Sequence, residues 1–443
     1  MSQFRLARIS LLLAAIGLQA APALITSAHA QSKPAAEAPK PDTVRAEMYK
    51  FLDPKVIQEK MAAKDYAYVQ DAITKAEAFP DRTPYESYVI DRMKISLGSA
   101  TNNNAMTVGA LERAIASGRL TPEEKSTFML AMAEIHYDMQ DYKKSIPELE
   151  AYLAQAANPH AGARGRLARA YYLNKDYAKA VPMLKAAVDS AEKAGQQPSN
   201  EDLRLLTSAA GLAKDNDTTL YALERVVKYY PSDDAWTNLL SRLVNRPGFD
   251  QKTLMPDVFR LQSVAVQQMD AAYIVELAET DLLAGLPTEA KKVVDAGFAS
   301  GSLGTGPDAA AHKKLRDRAN KGAAEDAKSS NLGETSAAKA KDGTGLVNVG
   351  YAYVSMDQFD KGIDLIQKGI AKGVKAPEEA KIRLGIAYAK AGRKDDALKT
   401  FASVGGDQNT KDLARYWSMW VNRPAGGAAA PAAAPAAPAP ASK

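Results

Sequence analysis

Four histidines and no cysteine are all that this 443-residue chain offers toward metal or thiol chemistry. His29, His136, His160 and His312 stand far apart, without the i, i+4 pairing that sets two imidazoles on one helix face, so no metal site is expected. The lack of cysteine removes disulfides, thiolate ligands, thiol nucleophiles and lipid attachment through sulfur. A serine three residues before a lysine can be activated by that amine, and the spacing occurs at Ser190/Lys193 and Ser336/Lys339. Neither copy is accompanied by the SDN or KTG motifs that complete such a site. The loop Ser300 to Gly306 (SGSLGTG) lacks the first glycine of a nucleophile elbow and the Lys-Ser/Thr ending of a phosphate cradle, so it reads as a flexible turn. The basic run from His312 to Arg318 has neither the broad apolar face of a membrane-surface helix nor interleaved aromatics for stacking on bases; it reads as a solvated face. The expectation is therefore no catalytic residue, no metal and no cofactor.

The charge balance narrows the partner classes in the same way. Lys plus Arg number 57 against 52 acidic residues, a formal charge of +5 that is small for this length and argues against a nucleic-acid binder. At the amino terminus, Arg5 and Arg8 precede a largely apolar run from Ile9 to Ile25, and Ser27 to Ala30 supplies the small residues that signal peptidase requires. Residues 1–30 are thus expected to be a signal peptide cleaved after Ala30, delivering the chain to a Gram-negative periplasm without a stable membrane anchor. Residues 31–43 are Pro/Ala-rich and predict a disordered leader; residues 422–443 alternate Ala with Pro and predict a disordered tail.

Between these ends the sequence repeats with a period of 35 residues. Ala133 aligns with Ala168, His136 with Tyr171, Asp141-Tyr142 with Asp176-Tyr177, Ser145 with Ala180 and Leu149 with Leu184. A later pair aligns Gly350 with Gly385, Tyr353 with Tyr388, Gly362 with Ala397 and Ile366 with Phe401, and Ala278 begins another copy through Gly285, Ala290, Val294 and Gly297. Small residues at two fixed positions let paired helices cross closely, and the bulky residue four further on fills the space to the next pair. These residues resemble the tetratricopeptide repeat (TPR) family, and the whole-chain pattern is similar to exported proteobacterial proteins of that kind. The resemblance implies an all-α fold, a TPR-type α-solenoid: a right-handed superhelix of about ten antiparallel helix pairs. Residues 44–300 would form an N-terminal array and 344–421 a C-terminal pair with a capping helix, where Trp417 and Trp420 cover the last repeat. Arg246-Pro247-Gly248 breaks the frame. Residues 301–343, Lys-rich with Leu315 and Leu332 as the only large aliphatics from Ala309 to Lys341, are either a degenerate repeat with a thin core or a mobile insertion.

In such an array the first helix of each pair lines a concave groove. The frame places Thr127, Leu130, Glu134 and Tyr137 there, then Gly162, Gly165, Arg169 and Tyr172, then Glu201, Arg204, Ser208 and Gly211. Tyr137, Arg169, Tyr172 and Arg204 are residue types enriched at binding hot spots, with Gly162 and Gly165 leaving room for a ligand backbone. Tyr351 is expected in the groove at the other end, among apolar Val347, Val354, Ile382 and Ile386. The Lys/Asn clamp by which TPR domains hold a C-terminal carboxylate is absent from these positions. The leading expectation is a periplasmic scaffold for a peptide or protein of the cell envelope, with TonB-type complexes one candidate partner class. The alternative is a peptidoglycan-acting enzyme or its activator using Ser190/Lys193 or an acidic pair, and a third reading is homo-oligomerisation through Trp417, Trp420 and the final repeat.

Overall fold

The computed structural model describes residues 42–423, with the side chains of 327–332 left aside; the signal segment, the leader up to residue 41 and the tail from residue 424 lie outside the described residues. One compact unit ends at Ala187 and a second begins at Val188. The first contains α1 (Ala46–Leu52), α2 (Pro54–Ala62), α3 (Tyr66–Glu77), α4 (Pro84–Ala100), α5 (Asn104–Ala116), α6 (Pro122–Asp138), α7 (Tyr142–Gln155) and α8 (Ala163–Leu173). Helix α9 (Tyr177–Lys193) runs from the first unit into the second. The second unit continues with α10 (Asn200–Leu212), α11 (Asn216–Tyr229), α12 (Asp233–Val244), α13 (Gln251–Ala265), α14 (Ala271–Leu283) and α15 (Pro287–Ser300). Then follow α16 (Ala309–Lys339), α17 (Thr344–Ser355), α18 (Phe359–Lys372), α19 (Pro377–Lys390), α20 (Lys394–Ala402) and α21 (Gln408–Val421).

One turn recurs between the helices of a pair. Lys64, Gln140, Lys175 and Lys214 adopt positive φ, and the next residue is Asp65, Asp141, Asp176 or Asp215. Each Asp N–H donates to the carbonyl five residues back, Asp141 to His136 at 2.9 Å and Asp176 to Tyr171 at 2.8 Å, satisfying the end of the first helix. The carboxylates of Asp65, Asp141 and Asp215 then accept from backbone N–H groups that open the second helix. Gly285 and Gly392 take the same place before Leu286 and Arg393. Upstream, Thr83-Pro84 and Thr121-Pro122 start α4 and α6 with capping boxes closed by Glu86 and Glu124.

The small residues of the 35-residue pattern sit where paired helices cross. Ser145 Oγ donates to the Ala133 carbonyl at 2.8 Å within the buried crossing of α6 and α7. In the second unit Gly350 and Gly362 meet so closely that a Cβ on Gly362 would lie 2.6 Å from the Gly350 carbonyl oxygen. Only a missing side chain on both helices allows this approach.

The Lys-rich segment is a single helix, α16. It is one continuous helix and not a pair. Leu315 and Ala319 bury against Ile274, Ala278, Ala290 and Val294 of α14 and α15, while Ala337 packs with Leu346, Tyr353 and Leu365. Alanine suffices because the helix lies close to its neighbours, and Arg316–Asp295 and Arg318–Glu279 ion pairs fix its charged edge. The preceding loop is a built turn: Gly301, Gly304 and Gly306 hold positive φ so that Leu303 can bury beside Gly297. No helix among the described residues is long and apolar enough to cross a membrane.

The second unit also folds back on itself. Helix α21 docks on α12 and α13 as well as on α20. Trp417 stacks on Phe401 with ring centroids 6.2 Å apart, and its indole N–H donates to the Asp257 carbonyl at 3.2 Å. Trp420 donates to the Val264 carbonyl at 3.1 Å, and Arg246 pairs with Asp412 at 2.6 Å. Trp417 therefore covers the last repeat as expected for a cap, but it is 1% exposed and spent inside its own chain.

Candidate partner-binding surfaces

In the first unit the surface begins with two copies of one ring pair. Tyr137 near the end of α6 meets Tyr142 at the start of α7 edge-on, with centroids 5.4 Å apart; Tyr172 and Tyr177 repeat the contact at 5.7 Å in α8 and α9. The shared turn sets this geometry, since it fixes the last ring of one helix against the first ring of the next. Tyr137, Arg169 and Tyr172 are all half-buried. The guanidinium stacked on Tyr137 belongs to Arg166, 4.6 Å from the ring centroid. Arg166 falls outside the groove positions of the repeat frame, so the sequence frame missed it. A Cβ placed on Gly165 would meet nothing within 4 Å, so space is open beside these residues.

His136, at the aromatic position of its repeat, is buried with Nδ1 2.8 Å from Glu148 Oε2. His312 is also buried, and its Nδ1 accepts from the Gly304 N–H at 3.3 Å. Ser190 and Lys193 are both exposed on α9.

In the second unit Arg204 is exposed on α10, but Tyr351 is not a groove residue. It is 1% exposed, and Val347, Val354, Ile382 and Ile386 are buried with it. The cause is the fold-back: α13 brings Leu254, Val258 and Leu261 into the same core and fills the face that an open array would leave concave.

Helix α13 also carries Arg260 into that core, where it is shared among three carboxylates. Its Nη1 donates to Asp257 at 2.7 Å, Nη2 to Asp281 at 2.8 Å and Nε to Glu289 at 2.8 Å, with Tyr351 under the guanidinium at 4.7 Å. Lys390 donates to Glu289 at 2.9 Å, the Tyr351 hydroxyl donates to the same oxygen at 3.2 Å, and Arg383 stands 4.0 Å from Asp257 at the rim. Burial alone would push Glu289 up, but Arg260 and Lys390 together hold it down at about 2. Asp281 has only a share of Arg260, and its Oδ2 has no hydrogen-bond partner; burial pushes its carboxyl up to about 8. Each member lies in a repeat that reads as ordinary helix surface in sequence, so nothing in the 35-residue period marked it. The arrangement joins α13, α14, α15, α17 and α19, and its buried, mutually paired charges act as structure.

Sequence comparison with known families matches the tetratricopeptide repeat over residues 130–197 and again over 379–406. No curated protein sequence matches the chain. Among solved structures, similar chains include the TPR2AB domain of yeast Sti1 in its pHSP90 complex, at 15% identity over 67% of this chain and 92% of that one, TM-score 0.22. Yeast Tom70 is similar at 11% identity over 85% of this chain and 95% of that one, TM-score 0.21, and the TPR domain of P58(IPK) at 12% over 85% and 98%, TM-score 0.21. The helix pairs with their shared turn, together with the two matched segments, define an all-α solenoid of repeat type. The chain carries tetratricopeptide repeats, a class of array that offers extended surfaces for protein–protein interaction.

Proposed function

We propose that this chain is an exported scaffold that binds a protein or peptide partner of the cell envelope through its first unit, without catalysing a reaction. The observation that carries the reading is the repeated tyrosine pair at Tyr137/Tyr142 and Tyr172/Tyr177, half-exposed and flanked by Arg166, Arg169 and the open space at Gly165. Rigid aromatic rings beside guanidinium groups lose little entropy on binding and pair well with backbone and carboxylate groups of a partner. Export rests on the basic start, apolar run and Ser27-to-Ala30 site of residues 1–30; sequencing the amino terminus of the cell-fractionated protein tests it, with Gln31 as the expected first residue. Binding is tested by placing a photo-crosslinking residue at Tyr172 in living cells, with exposed Lys193 as the control position. One envelope protein captured at Tyr172 and not at Lys193 is the expected result; equal capture at both sites removes the reading.

A further inference from the structure

Two departures from the repeat frame meet on α21. One is the Arg246-Pro247-Gly248 turn between α12 and α13; the other is Gly405-Gly406, which joins α20 to α21. From its turn Arg246 Nη1 donates to Asp412 at 2.6 Å and to the Asn409 side-chain oxygen at 3.5 Å. A second tie runs to α11, where Arg415 pairs with Glu224 and the Tyr416 hydroxyl donates to the same carboxylate at 3.3 Å. Leu413, Tyr416, Trp417 and Trp420 stand at i, i+3, i+4 and i+7, the spacing by which an amphipathic helix fills an apolar groove. Helix α21 therefore lies on α11 to α13 as a strap held by charges at its start and by rings along its length. The charged ties are of a kind that can be undone. Asp412 is 1% exposed, yet Gln408 and Arg415 of α21 itself bond its other oxygen at 2.7 and 2.8 Å. When α21 leaves, Asp412 keeps those partners, and both it and Arg246 regain the hydration that burial removed.

The two ends of the strap differ. At its start Gly406 holds φ +81° and Gly405 precedes it, so the joint has the backbone freedom of two glycines. Near the joint Leu413, Tyr416 and Trp417 are at most 1% exposed. The last turn instead stands off its bed around a space of ≈ 520 Å³, and Val264 beneath it is 40% exposed. We propose that α21 is a hinged strap: it swings as one piece about Gly405-Gly406 while α11 to α20 stay folded. The swing uncovers the apolar face of α12 and α13, where Trp236, Val258 and Leu261 share one core with Leu413, Tyr416 and Trp417. In the closed state the unit's own helix occupies that face.

Hydrogen exchange resolved to single amides of the mature chain tests this. A free helix of 14 residues is marginal in water, so each opening exposes the amides of α21 together. The expected result is that Asp412 to Val421 exchange as one group, about tenfold faster than the buried amides of α14 and α15. In Arg246→Ala that group should exchange about tenfold faster again, with α14 and α15 unchanged. Glu224→Gln, which loosens the tie to α11, should act in the same direction, and it answers the case in which Arg246→Ala disturbs its own turn. Exchange of α21 at the rate of α14 and α15 overturns the proposal, because the helix then opens only with the whole unit. Exchange graded inward from Val421 and insensitive to both variants also overturns it, since that is fraying of a helix end. Variants that speed α14 and α15 as much as α21 do so as well. Capture of a partner at Tyr172 is unaffected by any of these outcomes.

Discussion

Replacing Asp281 by Asn should flatten the pH dependence of stability of the second unit. The unfolded aspartate titrates near pH 3.9, whereas burial beside a guanidinium shared three ways raises the folded carboxyl to about 8. Between those values the folded chain keeps a proton that the unfolded chain releases. Stability is therefore lost as pH rises through the window, at about 1.4 kcal/mol per pH unit, and levels off above about pH 8. A proton retained from about pH 5.5 to 8 corresponds to about 3 kcal/mol, and relaxation and water entry reduce this to roughly 2 kcal/mol. Glu289 is shifted downward, so its contribution is lost only as pH falls from about 4.5 toward 2, outside that window. Asn keeps an oxygen for the Arg260 N–H and offers N–H where the protonated carboxyl offers O–H. Urea unfolding of wild type and Asp281→Asn from about pH 5.5 to 9 reads the effect, because Glu289, which interacts with Asp281, titrates below this range. The wild type should lose about 2 kcal/mol relative to the variant over this range. Parallel pH profiles would refute a retained proton in the cluster.

Arg260→Met leaves three carboxylates without their shared partner and should destabilise the second unit by about 3–5 kcal/mol at neutral pH, measured by the same unfolding. Trp417→Ala should cost about 3–5 kcal/mol, because the ring fills space against Phe401 and bonds α13. Gly362→Ala should cost about 1–3 kcal/mol in thermal melts, since the added carbon strikes the Gly350 carbonyl. Gly109→Ala, where the nearest atom is the far end of Arg113 at 3.5 Å, should instead stabilise by about 0.5–1 kcal/mol. Tyr351→Phe should lose about 1 kcal/mol of stability and leave crosslinking at Tyr172 unchanged.

The helix pairs were legible because their signals are local and repeated. A small residue at each crossing, an aromatic three after the first, and an Asp after a left-handed residue recur from pair to pair, so Ser145 against Ala133 and Gly362 against Gly350 could be paired from spacing alone. Local patterns carry no information on contacts between positions some 160 residues apart. The return of α21 to α13 is such a contact. Leu254, Val258 and Leu261 of α13 share the core that buries Tyr351, Ile382 and Ile386, which a nearest-neighbour array would leave facing a groove. The continuity of α16 was obscured for another reason. Its core is made of alanine, and hydrophobic periodicity built on Leu315 and Ala319 is too weak to distinguish a packed helix from an insertion. Arg166 was missed because a repeat frame assigns residues to faces by position, whereas a long side chain can reach over a neighbouring helix to Tyr137.

The central claim is that the tyrosine–guanidinium surface of the first unit holds a partner. Its most direct test is calorimetric titration of the protein captured at Tyr172 against wild type and against Arg166→Ala/Tyr172→Ala. The account predicts at least about a tenfold loss of affinity in the double variant with the melting transition of the first unit retained. Equal affinity in wild type and a folded double variant would contradict it.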